Sequence, residues 1–187
     1  MVSQFVSQEA VGLLGDLNFD FPAGIHAIGR LDSQSEGLLI LTTNKRVTKL
    51  LFQAKTPHKR TYLIRVKNVV SPENLHRLRT GVKIKIAGGL EYLTPPCEVN
   101  LLDAPPLLPE HQLDLRTYAP HSWLTMSLYE GKFHQVRKMV SAIHHPCRRL
   151  IRLSIEDLEL GELAPGCVRE MEEEDFFGLL KIDDWRE

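Results

Sequence analysis

"GRLDSQSEGLLILTTN" (residues 29–44) sets an arginine and an aspartate, Arg30 and Asp32, in a polar stretch that opens directly into an apolar run. The run "GLLILTT" (37–43) is short, continuous and ends in threonines, the pattern of a buried strand. Ser33 and Glu36 have capping-box spacing and could announce a helix instead. Gly37 immediately after them, and the shortness of the run, favour the strand. Asn44 then caps a helix over "KRVTKLLFQA", whose Val47, Leu50, Leu51 and Ala54 repeat at i, i+3, i+4 and i+7. Asp32 therefore stands in a loop just ahead of a strand. It is either a turn residue holding backbone amides or a reactive carboxylate.

Working outward, "TYLIRV" (61–66) alternates, with Tyr62, Ile64 and Val66 on one face. Ser71, Pro72 and Gly81 are the cap, first-turn proline and stop of a second helix. "VKIKIAG" (82–88) is a half-exposed strand. Residues 94–122 are proline-rich and read as a long irregular surface loop. "LTMSLYEG" (124–131) alternates again. "FHQVRKMVSAIHH" sets Val136, Met139, Val140 and Ile143 on one helical stripe with Arg137 at its border. "CRRLIRLSI" is a further strand, Pro165–Gly166 a turn and "EEDFFGLLKI" a closing helix. Interspersed elements with one-sided alternation predict an α+β fold with a mixed, mostly antiparallel sheet.

Composition narrows the function classes. The chain has 187 residues, 43% hydrophobic and 25% charged, as in an ordinary globular domain. It lacks an apolar run long enough to span a membrane, and "MVSQFVSQEA" has neither the basic start nor the apolar core of a secretion signal. Three widely spaced cysteines, Cys97, Cys147 and Cys167, fit a reducing cytoplasm rather than a disulfide framework. A net charge of −1 conceals strong segregation. Residues 30–85 hold 13 Lys/Arg against 3 Asp/Glu, residues 130–152 hold 6 against 1, and residues 153–187 hold 3 against 12. Two basic blocks are the electrostatic footprint of a polyphosphate partner, with a solvated mixed surface as the plain alternative. There is no P-loop, dinucleotide fingerprint or nucleophile elbow. His144, His145 and Cys147 lack the further ligands that a metal would need.

Three segments carry a more specific signal. "GRLDSQSEGLLILTTN" resembles the active-site motif of the pseudouridine synthases that modify ribosomal RNA. "KRTYLIRV" (59–66) resembles that family's tyrosine strand. "LYEGKFHQVRKMV" (128–140) with "RRLIRLSI" (148–155) resembles its third motif and the strand after it. The order and spacing agree over residues 25–170. "HSWLTMSLYEG" (121–131), together with the lack of an appended small RNA-binding domain, is most similar to the branch acting on large-subunit (23S) RNA.

The resemblance implies two ferredoxin-like subdomains, residues 1–60 with 130–187 and residues 61–129, within one catalytic domain that has a central basic cleft. It implies isomerisation of a uridine in 23S rRNA, or in a partly assembled large-subunit particle, by a monomeric cytoplasmic enzyme with no cofactor and no metal. Asp32 maps onto the catalytic carboxylate, Arg137 onto its guanidinium partner and Tyr62 onto the residue stacked on the target base. Arg30, Lys59, Arg60, Lys132, His134, Gln135, Lys138, Arg148, Arg149 and Arg152 are the implied RNA contacts. Family members open with a Lys-Pro strand, whereas "MVSQF" is similar to only the end of that segment. The other readings are an enzyme of the same kind acting on 16S rRNA or tRNA, and a non-catalytic RNA-binding module.

Overall fold

The computed structural model describes residues 1–52, 56–104, 120–183 and 185–186. Its frame is a six-stranded sheet whose centre is three long antiparallel strands: β4 (Arg60–Lys67), β8 (His121–Leu128) and β9 (Cys147–Ile155). The order across it is β10 (Leu158–Glu159), β9, β4, β8 and β7 (Glu98–Leu102), and β2 (Glu36–Gly37) joins β9 in parallel. β1 (His26–Ile28) pairs with β3 (Ile40–Thr42), and β5 (Lys83–Lys85) with β6 (Glu91–Leu93). The helices are α1 (Val47–Phe52), α2 (Pro72–Thr80), α3 (Gln135–Ala142) and α4 (Glu173–Leu179). No described helix is long and apolar enough to cross a membrane.

The two faces of β4 explain the layering. Ile64 and Val66 face a core with Leu124, Met126, Leu78, Met139, Val140 and Ile143, which packs α2 and α3 against the sheet. Leu63 points the other way and meets Trp123 and Ile151. The predicted α3 stripe is the buried one: Val136, Met139, Val140 and Ile143 are all at or below 5% exposure. A separate core of Ile28, Ile40, Val47, Leu51, Ile155, Phe177 and Leu180 holds β1, β3, α1 and α4 together. Local chemistry sets the helix ends as the sequence predicts. Ser71 Oγ accepts from Asn74 N at 3.2 Å, and the Gly81 N–H donates to Arg77 O. Asn44 Oδ1 accepts from Arg46 N at 3.0 Å ahead of α1, while Ala54 lies outside the described residues.

Two expectations need correction. "GLLILTT" is not one strand: Gly37 pairs with β9 as the end of β2, the chain turns, and Ile40 begins β3 on a different partner, β1. The break arises at Gly37, whose φ is +102° and whose missing side chain lets the backbone of Arg152 pass directly alongside. A Cβ there would sit 2.3 Å from Arg152 O and 2.6 Å from Arg152 N. The stretch 94–122 is likewise not irregular throughout. β7 spans 98–102 against β8, which itself starts at His121; residues 105–119 lie outside the described residues.

Gly37→Ala is expected to destabilise the protein by about 3 kcal/mol or more, since the contact is with backbone that cannot swing away. Gly24→Ala has a similarly positive φ, +82°, but nothing within 4 Å, and should cost about 1 kcal/mol. Urea denaturation of both variants checks the difference; equal losses would contradict it.

Candidate active site

Asp32 sits in the loop between β1 and β2, and three separate ties fix that loop. Ser35 N donates to Asp32 O at 2.8 Å, closing a turn over residues 32–35. Ser3 Oγ bridges the N–H and C=O of Leu31, at 2.9 and 3.1 Å. Arg137, reaching over from α3, donates through Nη2 to Gln34 O at 2.5 Å and to Ser35 Oγ at 3.2 Å. Beyond the loop, Leu38 N donates to Arg152 O at 2.9 Å, and Arg152 Nε returns a bond of 2.7 Å to Leu38 O. The carboxylate is thus presented from a segment held at both ends.

Two basic side chains flank that carboxylate. His134 Nε2 lies 3.4 Å from Oδ1, and Arg137 Nε lies 3.9 Å from Oδ2. The Arg137 contact is an ion pair beyond hydrogen-bond length, and its buried Nε has no hydrogen-bond partner. The expected Asp32–Arg137 pairing is present, and His134, expected at the RNA, stands closer. His134 reaches this place in a left-handed conformation, φ +55° and ψ 30°, immediately before α3.

Asp32 and His134 border a cleft of about 280 Å³, the low end of the range for small-ligand sites. Arg30, Asp32, Arg60, Tyr62, Lys132, His134, Gln135 and Arg152 all line it. Tyr62 of β4 and Arg152 of β9 are direct cross-strand partners, so their side chains share one face. Arg152 is 6% exposed, and burial pushes its guanidinium pKa down, against the opposing influence of Tyr62. Its Nη2 is buried and has no hydrogen-bond partner, leaving a donor at the cleft floor.

The other predicted contacts lie outside the cleft or, in the case of Gln135, line it with the amide already engaged. Arg149 makes a two-pronged ion pair with Glu36, both bonds 2.9 Å, and lines a separate groove. Its fork is already filled. Gln135 is buried: it accepts from Lys132 N at 2.8 Å and donates to Glu130 Oε1 at 2.5 Å. Arg148 is exposed on β9, Lys138 lies over the Phe133 ring at 5.3 Å, and Lys59 is half-buried beside Glu156, which its backbone N–H contacts; none of the three lines the cleft. Glu130, Phe52 and Phe133 line the cleft without having been singled out. Glu130 also accepts from Tyr92 OH at 2.6 Å, a bond that raises the Tyr92 pKa. Its place in "LYEGKFHQ", between tyrosine and glycine at a strand end, was the available signal.

The separate groove is larger, about 780 Å³, and is mostly apolar, bordered by the N-terminal segment, β3 and residues 160–171. Leu31, Asp32, Ser35 and Glu36 line both spaces. Carboxylate, tyrosine and cations converge at the smaller one. Among the described residues no three His, Cys, Asp or Glu side chains are grouped to hold a metal ion.

An RNA pseudouridylate synthase family model matches residues 16–142, which span the Asp32 loop, β4 and the third motif through α3. The chain belongs to the RNA pseudouridylate synthase family. Within it, the chain is 37% identical over 149 residues to a ribosomal large subunit pseudouridine synthase E of Xanthomonas axonopodis, covering 79% of this chain and 76% of that one. It is 35% identical to the protein of that name from Vibrio parahaemolyticus, again over 79% of this chain but only 60% of the relative. A crystal structure of a pseudouridylate synthase superposes with a TM-score of 0.68 at 23% identity, over 86% of this chain and 63% of the other, a likeness of fold. The mixed, mostly antiparallel α+β architecture is therefore the pseudouridine synthase fold.

Gln135→Leu removes the partner of Glu130 and of the Lys132 amide while leaving the apolar surroundings filled. A loss of about 2 kcal/mol in urea denaturation is expected, because a carboxylate oxygen and a backbone donor are both left unpaired. An unchanged midpoint would show that water replaces the amide and that the 130–135 loop does not depend on it.

Proposed function

We propose that this chain isomerises a uridine of large-subunit (23S) ribosomal RNA to pseudouridine, with Asp32 as the reacting carboxylate. The observation that carries the reading is the placement of Asp32 between His134 and Arg137 at the edge of a small cleft floored by Tyr62 and Arg152. The names of the relatives support the 23S assignment. The reaction breaks the bond from ribose C1′ to uracil N1 and makes one from C1′ to C5. C5 loses a proton and N1 gains one. Nothing is oxidised and no fragment leaves, so the balance closes without a cofactor.

Each side chain has a task in that sequence. Burial under a base disfavours a charged carboxylate, and the fixed charge of Arg137 beside Asp32 opposes that penalty. The flipped uracil enters beside Tyr62, whose ring stacks on it while Arg152 braces the phenol from the neighbouring strand. Arg30, Arg60 and Lys132 at the cleft wall take the flanking phosphates, contacts that hold RNA in a salt-dependent way without reading its bases. A bare RNA-binding module would need the cations but not the Asp32–His134–Arg137 arrangement.

Asp32→Asn keeps the side-chain shape and removes the charge. Pseudouridine formation on a 23S transcript, followed as tritium released from C5-labelled uridine, should fall at least about a thousandfold. RNA affinity should stay within about threefold, since the phosphate contacts remain. Near-normal release by this variant would refute the assignment of Asp32.

A further inference from the structure

The cleft is edged by aromatic surface that neither the reacting groups nor the core requires. Phe133 is 70% exposed and Phe52 is 46% exposed, and both line the cleft from different elements, the β8–α3 loop and the end of α1. Each ring carries a cation from the basic blocks: Lys138 Nζ lies 5.3 Å from the Phe133 centroid, and the Arg60 guanidinium 5.2 Å from that of Phe52. Phe133 is also stacked on His134, centroids 3.8 Å apart and planes 20° from parallel. A column therefore runs from the Asp32 carboxylate through the His134 ring to an exposed phenyl ring.

We propose that Phe133 and Phe52 form stacking platforms for the unpaired bases on either side of the target uridine, so that the substrate is a locally single-stranded segment. This rests on the reaction assigned above. An exposed phenyl ring costs solubility unless something planar and apolar covers it, and a base is such a group. The cation beside each ring matches the phosphate that travels with each base, which makes a nucleotide a better occupant than an apolar peptide. Stacking tolerates any base because every base has a π-face, so the platforms set strandedness rather than sequence. A flanking base on Phe133 extends the ring column and holds the backbone open where the uridine must swing out.

The test compares two fluorescent probes of equal length and charge: an oligouridylate of about a dozen nucleotides, and the same ribose-phosphate chain without bases. Phe133→Ala and Phe52→Ala should each weaken oligouridylate binding by about tenfold and leave the abasic probe within about twofold. Phe133→Trp should retain the oligouridylate affinity. Equal loss on both probes would make the rings supports for backbone contacts and overturn the proposal. No loss on either would assign the rim to a protein surface and overturn it as well. Wild-type turnover on a 23S transcript is measured alongside. Failure there would remove the assigned reaction, while the base-dependent difference in binding would still decide the rim.

Discussion

The structure depends on one close approach. Gly37 lies against the backbone of Arg152, with no room for a β-carbon, and this contact creates the single parallel strand pair among the described residues. It joins the two-stranded β1–β3 unit to the long central sheet. It also pins the start of the apolar run, so that the loop ahead of it, with Asp32, projects over the ends of β4 and α3. Arg152 serves this seam twice, once with its backbone and once by the bond from its guanidinium to Leu38 O. A single residue thereby fixes the loop and floors the cleft that the loop overlooks.

Electrostatics follow from the same layout. Arg137 spends its hydrogen bonds on Gln34 and Ser35, so its effect on Asp32 is that of a nearby charge rather than a direct fork. Holding the loop and standing beside the carboxylate are two results of one side chain. His134 supplies the nearer contact. Cations at the wall and floor of the cleft then favour a phosphate chain entering on that side.

Much of this was legible in the sequence where the signal is local. The α2 cap and stop, the buried stripe of α3 and the three motif segments are all written within a few residues of where they act. The split of "GLLILTT" was not, because it is decided by Arg152, more than a hundred positions away. β7 was hidden by prolines on both sides, since a short edge strand leaves little periodicity. The roles of Arg149 and Gln135 were hidden for a related reason. A basic or amide side chain reads as an RNA contact until its carboxylate partner, Glu36 or Glu130, is seen beside it. Phe133 looked like part of a motif and not like surface, because exposure is a property of the packed molecule.

The account reduces to a specific uridine being rebonded through its C5 carbon at a clamped carboxylate. The most direct measurement is a map of pseudouridines across total RNA from cells with and without this gene. The predicted result is the loss of modification at a uridine in 23S rRNA, restored when the gene is returned. Identical maps, or a change confined to 16S rRNA or tRNA, would contradict the account.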